Sequence, residues 1–266
     1  MSNQVATIQD LNKGLASQST QIQSMLPEGM DVKRFMRTTS NAIATHPQQA
    51  KILAADRQSL FNSCQKAASD GLMLDGKEAT LVSFYDKNVK CDVVQYMPMT
   101  QGLVKLARNS GEIGNIHYGV VYKNDEFVYE TNMDGILFRH KAANEWEVDD
   151  RGEPVAAYCM ITLSKSNEKI IKVLPKSRIL QIASGGKNGY QYDPQKGSHF
   201  EEWWGKTAIK SALKYAPKST FLDGALSNDN EGYDFDAGNE EAPAAPVTGT
   251  SDAVNNLLEE ENDPVI

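Results

Sequence analysis

No run of about 18 apolar residues occurs in this chain, so no membrane-spanning helix is expected. The N-terminus lacks the basic-then-apolar order of a secretory signal, and a cytoplasmic protein is the expectation. Cysteine is scarce: Cys64, Cys91 and Cys159 are odd in number, far apart and form no C-x-x-C, which argues against a disulfide framework or a zinc site. His46, His117, His140 and His199 make no H-x-x-x-H or H-E-x-x-H spacing, so no metal site is expected. A nucleotide loop is missing as well. Gly186-Lys187 is followed by Asn188 where a phosphate loop needs Ser or Thr, and position 181 holds Gln where it needs Gly, so no ATP and no other cofactor is expected. Those glycines read as a surface loop on which Lys187 is available to a phosphate. The carboxylates of Asp92, Asp149-Asp150 and Glu201-Glu202 do not converge in the manner of a metal-dependent nuclease, and no Ser-His-Asp or Cys-His spacing stands out. No catalytic residue is assigned.

One end of the chain lacks basic residues. Twelve of the 35 acidic residues and none of the 27 basic ones lie after Lys218, so the chain up to that point is net +4 although the whole is −8. Such a division suits a body that meets a polyanion and a tail that competes with it or recruits a partner. What remains is ordinary globular composition, 40% hydrophobic and 23% charged, with enough length for a sizeable core.

The most informative stretch runs from Ser198 to Pro217. Ser198 suits an N-cap, Glu201 and Glu202 suit the positive end of a helix dipole, and Pro217 stops the helix. Lys206, Lys210 and Lys214 recur every four positions, a row of ammonium groups about 6 Å apart along the axis, close to the step between phosphates on a single strand. Phe200, Trp203, Thr207 and Leu213 are expected to face a core, with Trp204 either packed or offering its ring to a base.

Elsewhere the pattern predicts an α+β fold: an antiparallel, meander-like strand-rich core with packed helices. Residues 1–24, rich in Gln and Ser, read as a flexible arm, residues 25–220 as the folded body and residues 221–266 as a disordered acidic tail. Helices are expected from Asp31 to about Thr45, from about Arg57 to Ala68 with Gly71 as its stop, from Thr100 to Asn109, and from Pro175 to Ile182. A hairpin is expected at Ala79–Tyr85 and Lys90–Tyr96, and strands near 116–122, 126–131, 137–139, 155–163 and 169–173.

Several blocks, taken in order, resemble the RecT/Redβ family of single-strand annealing proteins, nearest its RecT branch. They are Leu26-Pro27 with Arg34-Phe35-Met36-Arg37, then Ser63 to Leu72, Gly102 to Ile113, Asn124-Asp125-Glu126-Phe127, and His199 to Glu202 with Lys206 to Lys210 and Lys214 to Pro217. The resemblance implies an ATP-independent phage-type recombination protein in the bacterial cytoplasm. It implies coating of single-stranded DNA and pairing with a complementary strand, in rings or helical filaments, beside a 5′-to-3′ exonuclease. Thr100-Gln101 stand where the family often has an aromatic and a basic residue, and Ser211 where it usually has a second cation. Fewer charges imply a more salt-sensitive contact with DNA.

Annealing requires phosphates to be gripped while base edges stay free. The residues expected to do this are Lys206, Lys210 and Lys214, with Lys105, Arg108, Lys176 and Arg178. Thr100 and Gln101 are candidates for hydrogen bonds to the backbone, Trp204 for stacking, and Lys77, Lys87 and Lys90 for further phosphate contact. The tail is expected to shield the groove or, through Leu257-Leu258 and Pro264-Val265-Ile266, to dock on the exonuclease or the host single-strand-binding protein. The competing readings are a non-catalytic structural protein of a phage and a metal-dependent nuclease.

Overall fold

Helix α1 (Ile8–Ser17) begins at Thr7, whose hydroxyl oxygen accepts the Asp10 amide at 3.1 Å, and α2 (Ser19–Met25) follows at once. In this computed structural model, which describes residues 7–133, 135–144, 148–185 and 189–230, these two helices are packed where a loose or marginally helical arm was expected. Leu11, Leu15 and Ile22 are buried, and a Cβ on Gly14 would come within 2.2 Å of the Phe61 ring. Three well-spaced apolar residues outweigh the Gln and Ser around them because each finds a partner in the core.

Helix α3 (Val32–Ala44) is capped by Asp31, whose Oδ1 accepts the Arg34 amide at 2.7 Å. The short α4 (Gln49–Ala54), which sequence reading passes over, leads to α5 (Arg57–Asp70). That helix is capped by Asp56 and ends at Gly71, whose φ of 71° is left-handed and suits glycine. Strands β1 (Ala79–Asp86) and β2 (Cys91–Pro98) form the expected antiparallel hairpin, Ala79 opposite Pro98 and Asp86 opposite Cys91. Helix α6 (Thr100–Asn109) has the bounds read from sequence.

The next strands are β3 (Ile113–Tyr122), β4 (Glu126–Asn132), β5 (Gly135–Lys141), β6 (Pro154–Leu163) and β7 (Lys169–Pro175). The single meander is corrected here. The order β3-β6-β7 makes one three-stranded antiparallel sheet, while β4 and β5 pair only with each other as a separate hairpin inserted between β3 and β6. Asp125 turns the chain out of the sheet. Its buried carboxylate accepts the Tyr122 amide (2.9 Å), the Ala143 amide (3.0 Å) and two bonds from Arg151 (2.6 and 3.0 Å), with His140 Nε2 at 3.0 Å. Burial alone would raise the acid's pKa, but these donors hold it well below the usual carboxylate range.

Helix α7 (Lys176–Ser184) follows β7, and α8 (Phe200–Leu213) then lies across β3, β6 and β7. His199, rather than Ser198, precedes the first turn of α8, without a side-chain cap. The Glu201 carboxylate accepts the Tyr122 hydroxyl, tying the start of α8 to the end of β3. Trp204, Ala208 and Ala212 make the buried face, two small residues letting the helix approach the sheet closely. A last helix, α9 (Thr220–Asn230), starts where the tail was expected to begin. Ser219 Oγ accepts the Leu222 amide at 3.3 Å, and Leu222, Ala225 and Leu226 are buried in packing against α5, β2 and α6. The remainder of the expected tail lies outside the described residues. Among the described residues no helix is long and apolar enough to cross a membrane.

Candidate nucleic-acid interface

A cleft of about 490 Å³ opens where the base of the first hairpin, the start of α6, strand β3 and helix α8 meet. Gly76, Lys77, Met97 and Met99 line it from the hairpin, and Thr100 and Gln101 from the first turn of α6. Tyr118 contributes from β3, and Trp203, Lys206 and the neighbouring His199 and Glu202 from the start of α8.

The rim of this cleft is built on Asp75 and Glu78. Asp75 Oδ1 accepts the amides of Lys77 and Glu78, each at 2.8 Å, which fixes the turn that carries Lys77. Glu78 Oε2 accepts the Met73 amide at 2.9 Å, its carboxylate takes Lys105 Nζ at 2.7 and 2.8 Å, and its carbonyl accepts the Met99 amide at 2.9 Å. Helix α6 is thereby pressed onto the loop so closely that a Cβ on Gly102 would come to 2.1 Å from the Glu78 carbonyl oxygen. Glycine is required at 102 for that reason. The first turn of α6 holds no acidic residue, and no side chain caps it.

Of the two alternatives open for Trp204 the structure takes packing, and Trp203, expected to face the core, packs against it only in part. Trp204 is fully buried, and its Nε1–H donates to the Tyr192 carbonyl at 2.8 Å, so it cannot stack on a base. Trp203 is half-buried, rests against the Tyr192 ring at 5.3 Å between centroids, and lines the cleft. Across from it Tyr118 lies on the backbone of α8: a Cβ at Gly205 would come within 2.8 Å of the Tyr118 ring.

The exposed row of lysines is corrected as well. Lys206 and Lys210 are only 6% and 4% exposed, because both turn towards Asp229 in the last turn of α9. Lys206 Nζ stands 2.8 Å from Asp229 Oδ1, and Lys210 Nζ 2.5 Å from Oδ2. Burial pushes the Lys210 pKa down, while the two ammonium groups overcome the effect of burial on Asp229 and hold its carboxyl below the ordinary value. Lys214 lies at the C-terminal end of α8.

Of the other cations singled out from sequence, Lys105 is engaged by Glu78, and Arg108 donates to Asn115 Oδ1 at 3.0 Å beside β3. Lys176 lies 3.8 Å from Glu153, and Arg178 donates to Gln181 at 2.8 Å, both on α7 rather than in the cleft. Lys87 and Lys90 are exposed at the turn of the first hairpin, the opposite end from the cleft. The structure thus brings together Lys77, Thr100, Gln101 and Lys206, and leaves Lys87, Lys90, Lys176 and Arg178 apart from them. Lys187 lies outside the described residues. Tyr118 and Asp229 were missed. A tyrosine in a plain strand carries no sequence signal, whereas the helical spacing of Leu222, Ala225 and Leu226 behind Ser219 could have revealed α9 and its acid. Among the described residues, no group of three or more His, Cys, Asp or Glu side chains could hold a metal ion.

Comparison with known proteins gives the family. Residues 33–246 match the model of the RecT family. The chain is 28% identical over 222 residues to Protein RecT of Escherichia coli (strain K12), a match covering 81% of this chain and 77% of that protein. With four-fifths of its length so matched, the chain belongs to the RecT family, and its general role is in DNA recombination by annealing.

Proposed function

We propose that the protein binds single-stranded DNA along this cleft and pairs it with a complementary strand without ATP. The observation that carries the reading is that the uncapped start of α6 and Lys77 face the same cleft as Trp203 and Tyr118. Phosphates are attracted by the helix end and the ammonium group, bases rest against the rings, and neither contact reads base identity. Lys105, Arg108, Lys214, Lys176, Arg178, Lys87 and Lys90 extend the positive surface along which a longer strand runs. Coating such a strand calls for repeated head-to-tail subunits, in a ring or helical filament. In this reading the protein acts in the cytoplasm of a bacterial host during phage-type recombination. Its partners there are a 5′-to-3′ exonuclease, which supplies the single strand, and the host single-strand-binding protein.

The test is annealing of two complementary oligonucleotides without ATP or magnesium, paired with a gel shift on single-stranded and duplex DNA at low salt. Pairing faster than with heat-denatured protein, and a preference for single strands, are expected. Equal shifts of both forms with no acceleration would refute the proposal. Shortening of labelled DNA when magnesium is added would favour a nuclease instead.

A further inference from the structure

Asp229 holds Lys206 and Lys210 in a manner that invites replacement. Its carboxylate gives one oxygen to each of two ammonium groups one helical turn apart, at 2.8 and 2.5 Å. A phosphodiester has the same equipment, two anionic oxygens on one centre. Lys206 belongs to both places, since it lines the cleft while its ammonium group is bound to Asp229. Lys206 is therefore the residue that joins the buried anion position to the lining of the cleft.

The helix that supplies Asp229 is short and is ordered by its docking on α5, β2 and α6. Helix α9 has 11 residues, too few for a helix to persist alone in water, so its order depends on docking. Its apolar contact rests on Leu222, Ala225 and Leu226, and its second polar tie is the Asn228 amide donating to Asp70 at 2.8 Å. That Asp70 carboxyl is buried, which pushes its pKa up to about 6, so at neutral pH the tie is made to a charge that burial disfavours. Beyond α9 the sequence continues with acidic residues and no Lys or Arg.

We infer that α9 is a built-in competitor of DNA: Asp229 occupies a phosphate position on Lys206 and Lys210, and an incoming single strand displaces it and extends the cleft along α8. This inference rests on the proposed single-strand binding. Released from Asp229, the two lysines stand about 6 Å apart along the helix, the spacing that the sequence suggested for backbone contact.

Hydrogen exchange of the full chain, with and without a saturating oligothymidylate, tests it directly. Amides of α9 are expected to lose protection in the complex while those of α5 keep theirs. Asp229→Asn is expected to bind the oligonucleotide three- to tenfold more tightly than the unaltered chain. In the Asp229→Asn background, Lys206→Ala and Lys210→Ala should each lower the log–log salt slope by about 0.7. If the oligonucleotide binds but α9 stays as protected as before, or if a folded Asp229→Asn chain binds no tighter, α9 is a fixed structural element and the inference fails alone. If the unaltered chain binds no single strand, the proposed function fails and takes the inference with it.

Discussion

At residue scale, Trp203 and Trp204 are adjacent in sequence yet sit in unlike surroundings, and substitution should separate them. Trp204→Ala removes a fully buried ring and its bond to Tyr192, and about 3–5 kcal/mol of stability should go with it, read as a lower urea midpoint. Trp203→Ala should fold nearly normally and bind single-stranded DNA more weakly, by the roughly 1–3 kcal/mol that a base–aromatic stack contributes. An equal loss of stability in both would remove Trp203 from the binding surface. Asp70 offers a pH test. Its folded pKa of about 6 lies above the ordinary 3.8, so the folded state binds the proton more tightly than the unfolded chain. The contribution from Asp70 is full below pH 4 and is lost as pH rises through 6. Relative to the unaltered chain, Asp70→Asn should therefore gain stability from pH 4 to pH 8, by up to about 3 kcal/mol for a shift of this size. A difference that does not vary with pH would contradict this account of the buried acid.

At the scale of elements, one carboxylate ties the ends of the β4–β5 hairpin to β3. Asp125→Asn leaves Arg151 without its counter-charge in a site that is nearly closed to water, and a loss of about 3 kcal/mol or more is expected in a denaturant melt. Gly102→Ala should separate α6 from the Glu78 loop and weaken both folding and DNA binding, since the added Cβ meets a backbone oxygen that cannot swing away. Much of this level was legible in the sequence. Asp31, Gly71 and the Asp86-Lys87-Asn88 turn act within a few residues of themselves, so the bounds of α3, α5, the first hairpin and α6 came close to those observed. The division into separate sheets was hidden, because Asp125 acts through Arg151 and His140, far along the chain. Lys77, Thr100 and Gln101, singled out in the sequence, line one cleft, but the phase of α8 was misjudged. Counting the lysines suggested an exposed row. The alanines at 208 and 212 place Trp204 on the buried face, and a neighbouring helix covers Lys206 and Lys210.

For the whole molecule, a net +4 body with a net acidic continuation implies binding that weakens steeply with salt, by about 0.7 log units per log unit of salt for each phosphate contacted on a single strand. Titrations from 50 to 300 mM salt, with oligomeric mass followed by light scattering, should give a slope well below −2 and particles that grow with oligonucleotide length. A salt-independent affinity or a strictly monomeric mass on long DNA would count against the proposed coating. The insertion between β3 and β6 bears on how such a molecule comes to exist. Tyr122 pairs with Pro154 only after residues 123–153 have been looped out, so the central ladder forms between distant parts of the chain. The β4–β5 turn is local and closes within microseconds, shortening the excursion that the ladder must wait for. Weakening the Asp125 joint should therefore delay the central sheet's assembly during refolding, and the nascent chain would spend that interval with the edge of β3 bare.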